Sequence, residues 1–194
     1  MLEVILDVET KQIFDDVGGY FPEKLGISFV GVCVRRDRSQ KGEMQSYFEK
    51  DLPKLFPLLE QADVVVGFNI DGFDMPTFIP YYQADISRIP TLDVMDRIKK
   101  STGHRIGLDA VAKETLGTGK SGDGLDAIKY YKTGNFEALA KYCLRDVEIT
   151  RDVYDYGLKN GQVKFRNKWN RLIEAPVDFS FVSTKASGTQ MSLI

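Results

Sequence analysis

Cysteine is scarce in this 194-residue chain, which holds only Cys33 and Cys143, both in apolar surroundings. Two such thiols provide no disulfide framework and suit a reduced, intracellular setting. Neither has a Cys or His neighbour at zinc-ligand spacing, which excludes a structural zinc site of the usual kind. Histidine occurs once, at His104, and is expected on a surface or loop. No apolar run approaches the length of a membrane span, and the start Met-Leu-Glu-Val lacks a basic leader region. We therefore expect no signal peptide, no membrane partner and a cytoplasmic location. Positive charge is not in excess either: 26 Lys and Arg face 28 Asp and Glu, for a net charge of −2. That excludes coating of a polyanion by bulk charge, but not an acidic site neutralised by metal. Internal repeats are absent. What remains, 43% hydrophobic and 28% charged residues, is the composition of a globular domain able to bury a sizeable core.

Periodicity predicts strands over 2–8, 27–34 and 43–48, the last two flanking a charged turn from Arg35 to Gly42. A helix is expected from Asp51, as N-cap, to Ala62, then a short buried strand over 63–67. Further helices are expected over 74–84, 92–100, 108–116 and 125–131, with a glycine-rich loop at 117–124. Asn135 caps the clearest helix, which runs to about Leu158 with Phe136, Leu139, Cys143, Val147, Thr150 and Tyr154 on one face. Beyond Gly161, residues 162–166 and 172–181 alternate as a hairpin would, and 183–189 is small, polar and linker-like. The expected architecture is α/β: a mixed sheet flanked by helices over 1–160, a hairpin-like extension over 161–182, and a flexible tail over 183–194.

The chemistry starts in Val4-Ile5-Leu6-Asp7-Val8-Glu9-Thr10. Its apolar, β-branched character reads as a buried strand, which normally excludes charge. Yet Asp7 and Glu9 stand two residues apart, so strand geometry points both to one face. Two adjacent carboxylates repel unless a cation neutralises them, and hard oxygen ligands select magnesium or manganese. The same spacing recurs at Asp146-Val147-Glu148, so position on a buried strand is what singles out the first copy. A second stretch, Gly67-Phe68-Asn69-Ile70-Asp71-Gly72-Phe73-Asp74, leaves a strand and enters a helix, where open α/β sheets build their sites. Asp71 and Asp74 compete there as site carboxylates, and Asp74 could equally be a helix cap. A third, Tyr142-Cys143-Leu144-Arg145-Asp146, places Tyr142 and Asp146 at i and i+4 on one helical face.

Together these stretches resemble, in order and spacing, the three motifs of the DEDD superfamily of ribonuclease H-like 3′–5′ exonucleases. Asp7-Val8-Glu9 is similar to the first motif and Asn69 to Asp74 to the second, which ends in Phe-Asp and so favours Asp74 over Asp71. Tyr142-X-X-X-Asp146 is similar to the third in its tyrosine form; Lys141 stands where the histidine form needs His. Thr91-Leu92-Asp93 and Gly107 to Ala112 resemble the corresponding region of family B DNA polymerase proofreading domains. The resemblance spans roughly 2–158. It implies two divalent cations, Mg²⁺ or Mn²⁺, held by Asp7, Glu9, Asp74 and Asp146, with Asp7 bridging both and Tyr142 orienting the attacking water. The implied reaction releases nucleoside 5′-monophosphates from a frayed 3′ end, with Thr10, Asn69 and Phe73 contacting the strand.

Outside the motifs, Lys164 to Arg171 interleaves cations with aromatics, and Lys164, Arg166 and Trp169 are candidate nucleic-acid contacts. The last five residues, Gln190, Met191, Ser192, Leu193 and Ile194, resemble the bacterial sliding-clamp-binding pentapeptide, usually Gln-Leu-Ser/Asp-Leu-Phe. That peptide favours DNA as substrate, with roles in proofreading or repair. An exoribonuclease on the same fold and a non-catalytic nucleic-acid or clamp adaptor are the alternatives.

Overall fold

A computed structural model of the chain describes residues 1–119 and 124–182. Residues 120–123 of the expected glycine-rich loop, and the tail from 183 with its clamp-like peptide at 190–194, lie outside the described residues.

Five strands form one mixed sheet: β1 (Glu3–Thr10), β2 (Ile27–Arg35), β3 (Glu43–Phe48), β4 (Val64–Gly67) and β5 (Thr91–Asp93), in the order β3-β2-β1-β4-β5. The first three form an antiparallel meander, while β4 and β5 run parallel to β1. β1 is central and covered on both faces, which is why Val4, Ile5 and Leu6 read as a continuous apolar run rather than an alternation. On one face pack α1 (Leu52–Gln61) and the short α2 (Asp74–Phe78); on the other lies the long α6 (Phe136–Asn160). The helices α3 (Val94–Thr102), α4 (Leu108–Leu116) and α5 (Gly124–Lys132) fill the path between. A separate hairpin of β6 (Gln162–Arg166) and β7 (Leu172–Pro176) buries Val163, Phe165 and Ala175 in the same apolar cluster as α4 and α6. Among the described residues, no helix is long and apolar enough to cross a membrane.

Several expected boundaries move, each for a physical reason. The helix expected over 74–84 stops at Phe78, because Pro80 offers no amide donor to carry the ladder on. The helix expected from Leu92 begins two residues later. Residues 91–93 instead pair with β4, and the Asp93 side chain caps α3 by accepting from the Asp96 N–H at 3.1 Å. Asp51 does not cap α1: its backbone is already helical and its carboxylate takes Lys54 Nζ at 2.9 Å. The second hairpin strand ends at Pro176 rather than continuing to Phe181.

Arg35, expected in a charged turn, is instead 3% exposed. Its guanidinium bridges Glu3 at 2.9 Å and, in a two-pronged pair, Asp155 of α6 at 2.8 and 2.6 Å. Arg38 also reaches Glu3, which accepts as well from the Tyr154 hydroxyl at 3.1 Å. Burial alone would raise the Glu3 pKa. The hydrogen bonds and charges of Arg38 and Arg35 outweigh it and hold the carboxyl below its ordinary value. Removing one member of such a set strands the others in a poorly solvated place, a cost of about 3–5 kcal/mol. Glu3→Ala should therefore lower the unfolding free energy by about that amount in urea titrations. Because the folded-state pKa is depressed, Glu3 contributes its stability above the ordinary glutamate pKa and loses it as the pH falls through the folded value. The wild-type acid limb of stability against pH should flatten in the variant.

Candidate active site

Four carboxylates converge at the carboxyl ends of β1 and β4, delivered by a strand, a long helix and a strand-to-helix loop. Asp7 and Glu9 project from the α6 side of β1, as the period of two requires. Asp7 pairs in register with Gly31 of β2, where a Cβ would come within 3.0 Å of Val147 and 3.1 Å of Cys143 Sγ. Glycine is thus what allows α6 to lie this close to the sheet. Tyr142 and Asp146 come with that helix, one turn apart and both buried. Asp74, the first residue of α2, faces β1: its Oδ1 accepts the Val8 N–H at 2.9 Å.

The loop that delivers Asp74 is held by Asp93. The amides of Asn69 and Asp71 donate to the two Asp93 oxygens at 3.0 and 3.3 Å. Asn69 adopts a left-handed backbone, φ 69°, which asparagine tolerates better than most residues. Asp71 points away, is exposed, and accepts the Thr91 hydroxyl at 2.6 Å. Spacing did not give Asp93 this positioning task; its signal in the sequence was the resemblance of Thr91-Leu92-Asp93 to the proofreading domains.

A cavity of about 650 Å³ gathers Asp7, Glu9, Asp74, Tyr142 and Asp146 in one wall. Thr10 and Phe73 line it too, as does Phe68. Asn69 does not; its side-chain oxygen accepts from Arg105 instead. Lys164, Arg166 and Trp169 stand on the hairpin and its turn, outside this cavity. Sequence reasoning missed the contribution of the 11–25 loop, which adds Ile13, Phe14 and Leu25, and of α5, which adds Leu125 and Ile128. Phe14 stacks on Tyr20 at 4.5 Å and meets Phe73 edge-on at 6.0 Å, forming an aromatic rim. In the sequence these were scattered residues of a polar loop, with no period to mark them.

The electrostatics follow from crowding. Asp74 is 3% exposed; burial first, then the charge of Asp7, drives its pKa well above the usual carboxylate value. Cys143, wedged among the same groups, is likewise pushed up by burial and by the charges of Asp7 and Glu9. It stays a thiol and donates to Asp7 Oδ2 at 3.4 Å. Ligand atoms of Asp7, Glu9 and Cys143 all lie within 4.8 Å of one another, a spacing that suits a bound cation. The donor set is mainly hard oxygen, and a buried carboxylate forced toward its neutral form is what an anion-rich pocket shows before a cation compensates it.

With this geometry in view, the RNase_H_2 family, described as RNase_H superfamily, matches residues 4–157, most of the chain. The chain belongs to the RNase_H superfamily. The superfamily match covers every element of the five-stranded sheet and all but the last turn of α6. No curated protein matches this sequence. Among solved structures, the family B DNA polymerase of the hyperthermophilic archaeon Pyrobaculum calidifontis is similar with a TM-score of 0.61 and 16% identity, over 81% of this chain and 24% of that one. The zinc-bound ExoI–ssDNA complex of E. coli has a TM-score of 0.49 and 12% identity, over 82% of this chain and 41% of that one. This RNase_H superfamily chain thus spans about a quarter of the polymerase and two fifths of ExoI, and what it shares with the polymerase is the fold.

The crowding predicts a trade between stability and chemistry. Asp74→Asn keeps an oxygen for the Val8 amide while removing repulsion from Asp7. In chelator, the variant should melt higher than wild type by a few degrees, given about 2–4 °C per kcal/mol for a chain of this size. Adding Mn²⁺ should raise the wild-type melting point and raise the variant's much less, as differential scanning fluorimetry would show.

Proposed function

We propose that this protein is a metal-dependent 3′–5′ exonuclease acting on DNA, of the tyrosine-bearing DEDD kind. The observation that carries the reading is the convergence of Asp7, Glu9, Asp74, Tyr142 and Asp146 on one cavity. The motif resemblance supplies the direction of attack, and membership of the RNase_H superfamily is consistent with it.

In this reading Asp7, Glu9, Asp74 and Asp146 would together hold the divalent cations. Bound there, the cations would offset charge on the nonbridging oxygens and lower the pKa of the attacking water. The protein's own tasks are positioning and exclusion of water. Tyr142 would direct its hydroxyl at the attacking water, and orientation is its work. The aromatic rim of Phe14 and Phe73 flanks the terminal base. A duplex end would have to fray to enter. The product is a nucleoside 5′-monophosphate.

The C-terminal peptide from Gln190 to Ile194 belongs to this reading as a tether to a bacterial sliding clamp, which would raise the local concentration of enzyme at primer ends in proofreading or repair. Its support is the sequence alone.

Matched single-stranded DNA and RNA oligonucleotides, labelled at the 5′ end and incubated with Mn²⁺, test the proposal. A ladder shortening from the 3′ end on DNA is expected. Asp7→Ala should reduce the rate by about 10³-fold or more. Tyr142→Phe should cost about 10²-fold, mostly in kcat, as expected when a positioned hydrogen bond is lost from a transition state. Faster cutting of RNA would reassign the enzyme to RNA. Absence of cutting by folded, metal-loaded protein would reject the activity.

A further inference from the structure

A second cavity, of about 840 Å³, lies between the α3–α4 connection and the β6–β7 hairpin. Its charge is opposite to that of the acidic cavity. Arg105, Arg166 and Lys168 line it with His104, against one carboxylate, Glu174. Glu174 is already engaged by Lys164 at 2.8 Å, and Arg166 by Glu114 at 3.1 Å. Arg105 and Lys168 have no carboxylate partner among the described residues: Arg105 donates to the Asn69 side chain, and Lys168 Nζ sits 4.5 Å from the Trp169 ring centre. Trp169, the chain's single tryptophan, is 68% exposed. The turn that presents it is built rather than loose. The Asn167 side-chain oxygen accepts from the amides of Trp169 and Arg171 at 3.0 and 3.1 Å, and Asn170 takes a left-handed backbone, φ 58°.

A large ring held out in water beside two cations free of carboxylates is the arrangement that grips a chain of bases and phosphates: the ring stacks, the cations pair. The cavity is also linked to the acidic one through a side-chain contact. Arg105 bonds Asn69, and the short loop bearing Asn69 carries Phe68, Phe73 and Asp74 into the wall of the acidic cavity. One hydrogen bond thus ties a residue lining the second cavity to the loop that lines the first.

We infer that this second cavity binds single-stranded nucleic acid, with a base on Trp169 and phosphates on Arg105 and Lys168, and takes the part of the strand upstream of the 3′ end. Which part of the strand it holds rests on the proposed exonuclease reading; that it binds a strand does not.

The lone tryptophan makes the site its own reporter. The full chain, kept in chelator, is titrated with oligothymidylate and oligouridylate 12-mers while indole fluorescence is followed. Saturable quenching by at least one of them is expected, weakening as salt rises. The double variant Arg105→Ala, Lys168→Ala should bind about tenfold more weakly or worse. Both positions are exposed, so the fold should persist, as circular dichroism would check. Heparin, a polyanion without bases, should not reproduce the quenching. The inference is overturned by absence of quenching with both strands, by equal quenching with heparin, by displacement of the strand by equimolar polyglutamate, or by unchanged affinity in the double variant. Metal-free binding is independent of cleavage. Quenching without later cutting on addition of Mn²⁺ would keep this site and reject the exonuclease; cutting without quenching would do the reverse.

Discussion

The site depends on how closely α6 approaches the central strands. That distance is set at Gly31, where any side chain would push against Val147, Cys143 and Leu144. With hydrogen there, the helix settles until the Cys143 thiol touches Asp7, and Tyr142 and Asp146 arrive at the rim of the same cavity. A close-packed interior transmits small displacements instead of absorbing them. The geometry of the catalytic candidates is therefore a packing property before it is a chemical one.

Chemistry then works against the packing. Burying carboxylates beside one another is unfavourable, and the molecule answers by driving Asp74 toward its neutral acid and keeping Cys143 as a donor to Asp7. Supporting groups hold the strained arrangement in place. Asp93 ties down the loop ahead of Asp74 with two backbone amides, and the Val8 amide caps Asp74 itself. Such sites commonly trade stability for function.

The strand-rich first half, the long helix and its buried face were legible in the sequence because each has a sustained period. The convergence of Asp7, Glu9, Asp74, Tyr142 and Asp146 was legible because strand and helix periods put each pair on one face, and the motif resemblance then joined the pairs. What escaped was set by tertiary contact. The three residues of β5 look like the start of a helix, and only pairing with β4 makes Leu92 a strand residue. Arg35 reads as a turn cation, yet partners far along the chain, Glu3 and Asp155, carry it inside. Phe14 and Tyr20 sit in a polar loop whose single-turn 3-10 segments have no periodic mark, and their stacking exists only in three dimensions.

The buried charge cluster at the other end of α6 limits how the protein can move. Asp155 and Tyr154 fasten the helix to Arg35 and Glu3 at the far ends of β2 and β1, while Gly31 seats its first half. A helix pinned at two points along the sheet can neither slide a turn nor tilt without giving up desolvated ion pairs. Any adjustment to an incoming ligand then falls to parts of the cavity that α6 does not supply, among them the 11–25 loop. Asp146 is thereby held in one place relative to the strand that carries Asp7 and Glu9.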